Sequence, residues 1–230
     1  MKTSEQESIG GANMARRSFL RYAGLGVASA GLLATAACHK DHKVIVGGGI
    51  DIGAKGDLAI LNYAYALEQL EAAFYIQVIT TPYSGMTSDE RALLTSIRDH
   101  EILHREFFKA ALGGNAIPAL TTDFSTIDFT KKAAVLGAAK AFEDTGVKAY
   151  DGAGYLIKDA GYLTIAGKIV SVEARHAALI SNILMAGSFA ADDQVDSNGL
   201  NKSATIAEVL PIANTYLKTK VSASNYSYTA

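Results

Sequence analysis

The sequence predicts an all-α fold, a four-helix bundle with a long link between its halves, on three observations. Four long segments carry apolar side chains at helical spacing, and cap-type residues, Gly or Pro stand between them. Each apolar stripe is interrupted by a glutamate where a bundle core should be apolar. The chain of 230 residues is 49% hydrophobic and 19% charged, which suits a domain with a sizeable core and excludes a disordered or low-complexity protein.

Residues 1–37 read as an export signal. Arg16-Arg17-Ser18-Phe19-Leu20-Arg21 precedes an uncharged, Gly/Ala-rich stretch from Tyr22 to Ala37, and the pattern resembles a twin-arginine signal. Its 16 weakly apolar residues fall short of the roughly 20 that a membrane-spanning helix needs. Met14, just before Ala15-Arg16-Arg17, is an alternative start of translation. Leu33-Ala34-Thr35-Ala36-Ala37-Cys38 is similar to a lipobox, with Thr35 where Leu is commonest, so Cys38 is the expected site of lipidation. Ordinary cleavage after Ala34-Thr35-Ala36 is the alternative, and either route places the mature protein in the periplasm or cell envelope. With a lipid on Cys38 it is a membrane-anchored lipoprotein.

Residues 38–56 are expected to be a flexible, Gly-rich tether. Lys43 to Ile50 imitates the strand and glycine turn of a dinucleotide-binding fold, but Ile52 stands where the third glycine belongs. The bundle is expected over residues 57–187. Asp57 can cap a first helix whose stripe is Leu61, Ala64, Glu68, Ala72, Tyr75 and Ile79, and Thr80-Thr81-Pro82 closes it. The cluster Thr87-Ser88-Asp89-Glu90 opens a second, with Leu94, Ile97, Glu101, His104, Phe108 and Ala111 in register before Gly113-Gly114. The connection that follows is longer than a hairpin needs and predicts a crossover. A third helix runs from about Thr130 to Gly152 through Glu143, Val147 and Tyr150. A fourth runs from about Tyr162 to Gly187 through Glu173, His176 and Ile180. Residues 188–230 form a C-terminal extension with a short helix over Ser203 to Leu217, interrupted by Pro211.

The glutamates carry the chemistry. An unpaired buried carboxylate costs several kcal/mol, so Glu68, Glu101, Glu143 and Glu173 on inward faces require cations among them. With a single Cys in the chain, thiolate clusters are excluded, and a metal must be held by Asp, Glu and His. Glu101 and Glu173 are each followed at the third residue by histidine, His104 and His176, a spacing that lets carboxylate and imidazole reach one ion together. Glu68 and Glu143 are each followed at the seventh residue by tyrosine, Tyr75 and Tyr150, nearly two turns along the same stripe. These tyrosines either tune the ligands through hydrogen bonds or fill the core. Glutamate separations of 33 and 30 residues in the two halves read as an internal duplication. Glu71 is either a solvated or supporting group near the site or the ligand in place of Glu68. His100, adjacent to Glu101 but about 100° round the helix, reads as a partly exposed or capping histidine rather than a ligand.

The stretches LNYAYALEQLEAAFY, RDHEILHREFF, AFEDTGVKAYDGA and SVEARHAAL resemble the bacterial ferritin-like domain family that also includes plant desiccation-related proteins. The likeness covers roughly residues 57 to 187. It implies a ferritin-like four-helix bundle with a long crossover between helices 2 and 3 and a short extra C-terminal helix. It further implies two Fe or Mn ions, or Zn as purified, held by Glu68, Glu101, His104, Glu143, Glu173 and His176. In that reading Glu101 and Glu173 bridge the ions, Glu68 and Glu143 each terminate one, and no catalytic residue stands apart from the metal site.

The expected function is redox chemistry on iron(II), dioxygen or peroxide, of ferroxidase, peroxidase or catalase type. The alternative is a non-catalytic, stress-protective or structural envelope protein built on the same bundle. Partners are then a small oxidant or a metal ion, the membrane through the anchor, and a second copy in a homodimer. Nucleic acid is excluded, because the formal net charge is −2. Without residues 1–37, which hold four basic and two acidic groups, the body stands at −4.

Overall fold

The computed structural model describes Val44–Ile45 and residues 49–230. The expected export signal and Cys38 lie outside the described residues. Four long helices dominate: α1 (Asp57–Thr80), α2 (Ser88–Leu112), α3 (Lys132–Ala153) and α4 (Ala160–Leu184), followed by a short α5 (Ile206–Asn214). α1 packs most extensively on α2, and α3 on α4, so the bundle is two helical hairpins set against each other. Among the described residues no helix is long and apolar enough to cross a membrane.

The helix ends follow from local chemistry. α2 opens with a reciprocal capping box: the Glu90 N–H donates to Thr87 Oγ1 and the Thr87 N–H to Glu90 Oε2, both at 3.1 Å. It ends at Gly113, whose φ of 53° is costly for other residues. α4 starts on Asp159, which accepts from the Tyr162 N–H at 2.9 Å. Asp57 does not cap α1. Gly56 holds that position, and the Asp57 carboxylate accepts from the Lys158 and Asp159 N–H groups at 2.9 Å, tying the start of α1 to the start of α4. α5 is shorter than its sequence stripe suggested, opens with a second capping box on Thr205 and Glu208, and runs through Pro211.

α1 is buried on nearly all sides, because it meets the other helices and is also covered by the α2–α3 crossover and the C-terminal segment. Two buried amides on α1 hold that crossover. Asn62 donates to the Asn115 carbonyl at 2.9 Å and accepts from the Ile117 N–H at 2.9 Å, and Gln69 accepts from the Leu120 N–H at 2.8 Å. The C-terminal segment binds the other side of the same connection, with Asp123 N–H to the Tyr216 carbonyl at 2.7 Å and Lys218 N–H to the Thr121 carbonyl at 2.8 Å. Phe74 packs edge to face on Phe124 and Phe142, and Phe142 edge to face on Tyr216 with their centroids 4.8 Å apart.

One expectation is corrected. The flexible tether expected over residues 38–56 is instead ordered at Val44–Ile45 and from Gly49 on, because β2 (Gly49–Asp51) is packed into the body. It pairs antiparallel with β1 (Val44–Ile45) and parallel with β3 (Val221–Ser222). Ile50 and Ile52 are buried, and the Asp51 carboxylate accepts from the Gly53 and Ser224 N–H groups at 2.8 and 2.9 Å. A strand partner some 170 residues away leaves no trace in local composition. Close packing also fixes Gly152, where an added Cβ would lie 1.8 Å from the Ala204 carbonyl oxygen.

Candidate metal centre

Each long helix brings its interrupting glutamate to one level of the bundle. Glu68 from α1, Glu101 from α2, Glu143 from α3 and Glu173 from α4 are wholly removed from solvent, and His104 and His176 are 6% and 4% exposed. The i, i+3 spacing works as the sequence suggested, setting each imidazole on the same helix face as its glutamate.

The six side chains sort into two groups that share two members. His104 Nδ1 lies 2.8 Å from Glu173 Oε1, 3.5 Å from Glu68 Oε2 and 3.6 Å from Glu101 Oε2. His176 Nδ1 lies 2.8 Å from Glu101 Oε1, 3.4 Å from Glu143 Oε2 and 3.8 Å from Glu173 Oε2. Glu101 and Glu173 thus turn one oxygen to each group. Within each set of four, the converging atoms lie within 4.8 Å of one another. None of these eight atoms has a hydrogen-bond partner, because their contacts are close without being aligned as donor and acceptor. Eight orphaned donor atoms in two sets of four, all carboxylate oxygen or imidazole nitrogen, have the chemistry of metal ligands.

The remaining oxygens of the two unshared glutamates are held by tyrosines in a crosswise pattern. The Tyr75 hydroxyl of α1 donates to Glu143 Oε1 of α3 at 2.5 Å, and the Tyr150 hydroxyl of α3 donates to Glu68 Oε1 of α1. Each tyrosine therefore supports the glutamate of the opposite hairpin, not the one on its own helix. The choice between tuning and packing resolves to both for Tyr75, whose ring is buried, while the Tyr150 ring is half-buried; each hydroxyl holds a ligand-type oxygen.

Two neighbours complete the cluster. Glu68, not Glu71, belongs to a converging set. Glu71 is nevertheless buried beside it, and burial together with Glu173, Glu101, Glu68 and Glu143 pushes its carboxyl well above the usual range. Room for it comes from Gly146: an added Cβ there would stand 3.0 Å from Glu71 Oε1. Gly146 follows Glu143 by three residues as Glu71 follows Glu68, a signal present in the duplication. The second neighbour is His100, whose Nδ1 is hydrogen-bonded to His176 Nε2 at 2.9 Å with the rings 8° from parallel. His100 is half-buried and outside both converging sets, and its partner on another helix could not be read from the sequence. Its counterpart in the second half is Val172, so only His176 has this support.

The cluster's charge is balanced by protons when no metal is bound. Burial raises Glu101 to about 8 and Glu143 to about 7. Burial would also raise Glu173, but the two imidazoles outweigh it and hold that carboxyl at about 2. For the imidazoles burial works against charge and the carboxylates win: Glu143, Glu101 and Glu173 bring His176 up to about 12, and Glu68 leads the same effect on His104.

Metal ligation needs ionised carboxylates and a free Nδ1 lone pair, so each ion must displace protons. Affinity should therefore rise with pH across roughly pH 6 to 9, where Glu143 and Glu101 titrate, and binding at pH 7 should release protons. Zinc titrations in buffers of different ionisation enthalpy check this; a binding heat independent of buffer would contradict it. An imidazole that gives Nδ1 to a metal keeps its proton on Nε2 and donates it to His100. His100→Ala should accordingly weaken one of two zinc-binding steps by about 10–100-fold and spare the other, while His100→Gln, which keeps an acceptor, restores most of the loss. Equal weakening of both steps would show a general structural effect instead.

No curated protein matches the chain. The model of one family, described as the ferritin-like domain, matches residues 56–186, which takes in all four long helices and all six clustered side chains. The chain belongs to the ferritin-like domain family.

Proposed function

We propose that the cluster holds two Fe or Mn ions per chain and that the protein carries out redox chemistry on iron(II), dioxygen or peroxide. The observation that carries this reading is the sharing of Glu101 and Glu173, each with one oxygen toward His104 and the other toward His176. Glu68 and His104 would complete one ion, and Glu143 and His176 the other. A carboxylate-bridged pair supplies two metals close enough to change valence together. Among the protein's own groups, Tyr75 and Tyr150 would orient the two unshared carboxylates, and the surrounding core would exclude water.

The second reading, a non-catalytic protein that uses metal for stability, draws on the enclosure of the cluster. A site whose six side chains are at most 6% exposed admits substrates only through the protein. The resemblance of the sequence stretches to a family that includes desiccation-related proteins supports a stress-protective role of this kind. Arg16-Arg17 and Cys38 further support an exported, membrane-anchored protein.

Anaerobic iron(II) titration of the metal-free protein should saturate at two ions per chain, and Glu101→Ala should abolish at least one. On adding oxygen or peroxide, the iron in the protein should oxidise faster than free iron(II). Glu143→Ala should slow this by about tenfold or more, since a lost ligand costs above the 1.4 kcal/mol that tenfold represents. Tight binding of two ions with no acceleration by iron, or by manganese with peroxide, would leave the structural reading in its place. For the address, mass spectrometry of protein from the native envelope should find a chain beginning at Cys38 with added acyl mass. A chain that starts at Ala37 or retains Arg16 would exclude the lipoprotein.

A further inference from the structure

The enclosure of the cluster raises the question of what can reach it. At one end of the bundle, between all four long helices, lies an apolar cavity that is partly open to solvent and is lined by Gly154, Tyr162 at the start of α4, and Tyr150. Tyr150 is the residue whose hydroxyl holds Glu68, so one wall of the cavity is a single side chain from the Glu68 carboxylate. Leu67, which precedes Glu68 on α1, lines it as well.

The cavity has three features that bear on its occupant. Apart from tyrosine hydroxyls its walls are hydrocarbon, so an ion or a strongly hydrated molecule entering it would shed water with nothing to replace the lost hydrogen bonds. About 30 Å³ is open to the centres of water-sized molecules, room for about two of them. The space exists because Ala64, Ala149, Ala153 and Ala166 stand where larger residues would meet at the bundle axis. Finally, Tyr63 lines the same cavity, is 2% exposed, and its hydroxyl has no hydrogen-bond partner. A buried, unpartnered hydroxyl in an otherwise apolar chamber is a single point of attachment for a small guest.

We propose that this cavity is a binding site for a small, uncharged, predominantly apolar molecule, and the route by which such a molecule reaches the Glu68 side of the cluster. The inference rests on the proposed redox function only for its second half. Of the oxidants that function admits, dioxygen fits the cavity in size and polarity. Peroxide does not, because its two hydroxyl groups each need partners and the walls are almost wholly hydrocarbon. Iron(II), as a hydrated cation, has to enter elsewhere.

Xenon, an apolar probe of similar size, tests the site without any metal chemistry. Crystals of the full chain loaded with redox-silent zinc and pressurised with xenon should show an atom in the cavity beside Tyr150, and solution xenon NMR should report the same site. Ala153→Phe, or Ala166→Met should the first variant fold poorly, fills the space and should abolish the xenon signal. In iron-loaded protein the same substitution should slow oxidation by dioxygen by about tenfold while leaving oxidation by peroxide nearly unchanged. No xenon in the cavity of the wild-type protein overturns the site whatever the metals do. Xenon binding with equal slowing of both oxidants, or of neither, overturns the route. A xenon site in a protein that oxidises iron with neither oxidant would stand as a binding site, and the failure would then belong to the proposed function.

Discussion

The burial of negative charge organises this protein. Four carboxylates, one from each long helix, are removed from solvent within hydrogen-bonding range of two imidazoles. In water each would stay ionised at neutral pH; here they cannot all do so without cations in their midst. Protons or metal ions can fill that role, and the two compete for the same lone pairs. The rest of the interior is arranged to make the arrangement tolerable. Tyrosines satisfy the oxygens that face away from the imidazoles, a glycine opens room for a fifth carboxylate, and apolar packing keeps water out.

The two halves are near copies, and their differences are as informative as their likeness. The crosswise tyrosines preserve the symmetry, since Tyr75 serves Glu143 as Tyr150 serves Glu68. Two positions break it. Glu71 faces Gly146 across the axis, because two carboxylates would not fit there. His100 supports His176, whereas Val172 offers His104 nothing equivalent. The two groups are thus built from the same ligand types but differ in proton inventory and in the hydrogen bonding of their imidazoles.

Holding such a cluster requires that the helices not slide. α1 is central to this, being enclosed by its hairpin partner, the crossover and the C-terminal segment. Asn62 and Gln69 convert the crossover from a loose loop into a strap by satisfying its backbone, and the aromatic group around Phe74 and Phe142 pins the strap at the other end. Asp57 and the small sheet of β1, β2 and β3 fasten the remaining end of α1. A displacement of about 1.5 Å per residue of slip would separate the converging atoms, so this bracing matters to the site as well as to the fold.

The sequence alone determined the helices, their phase and five of the six clustered side chains, and it narrowed the sixth to Glu68 or Glu71. Those features are local: apolar spacing sets which face of a helix turns inward, Thr87 and Glu90 set an end, and the Glu-x-x-His spacing sets which residues share a turn. The duplication then paired the halves. What only the tertiary structure decided depends on how elements sit against one another. The sequence shows that Tyr75 and Glu68 share a stripe, but not that α3 brings Glu143, rather than Glu68, beside the Tyr75 hydroxyl. It shows His100 about 100° away from Glu101, but not that α4 places His176 where that turn leads. It reads residues 49–52 as part of a Gly-rich tether, since the strand that buries them is near the other end of the chain. Spacing along a chain fixes rotation about one helix axis; the offset between axes is set by packing among residues far apart in sequence, and no local pattern records it.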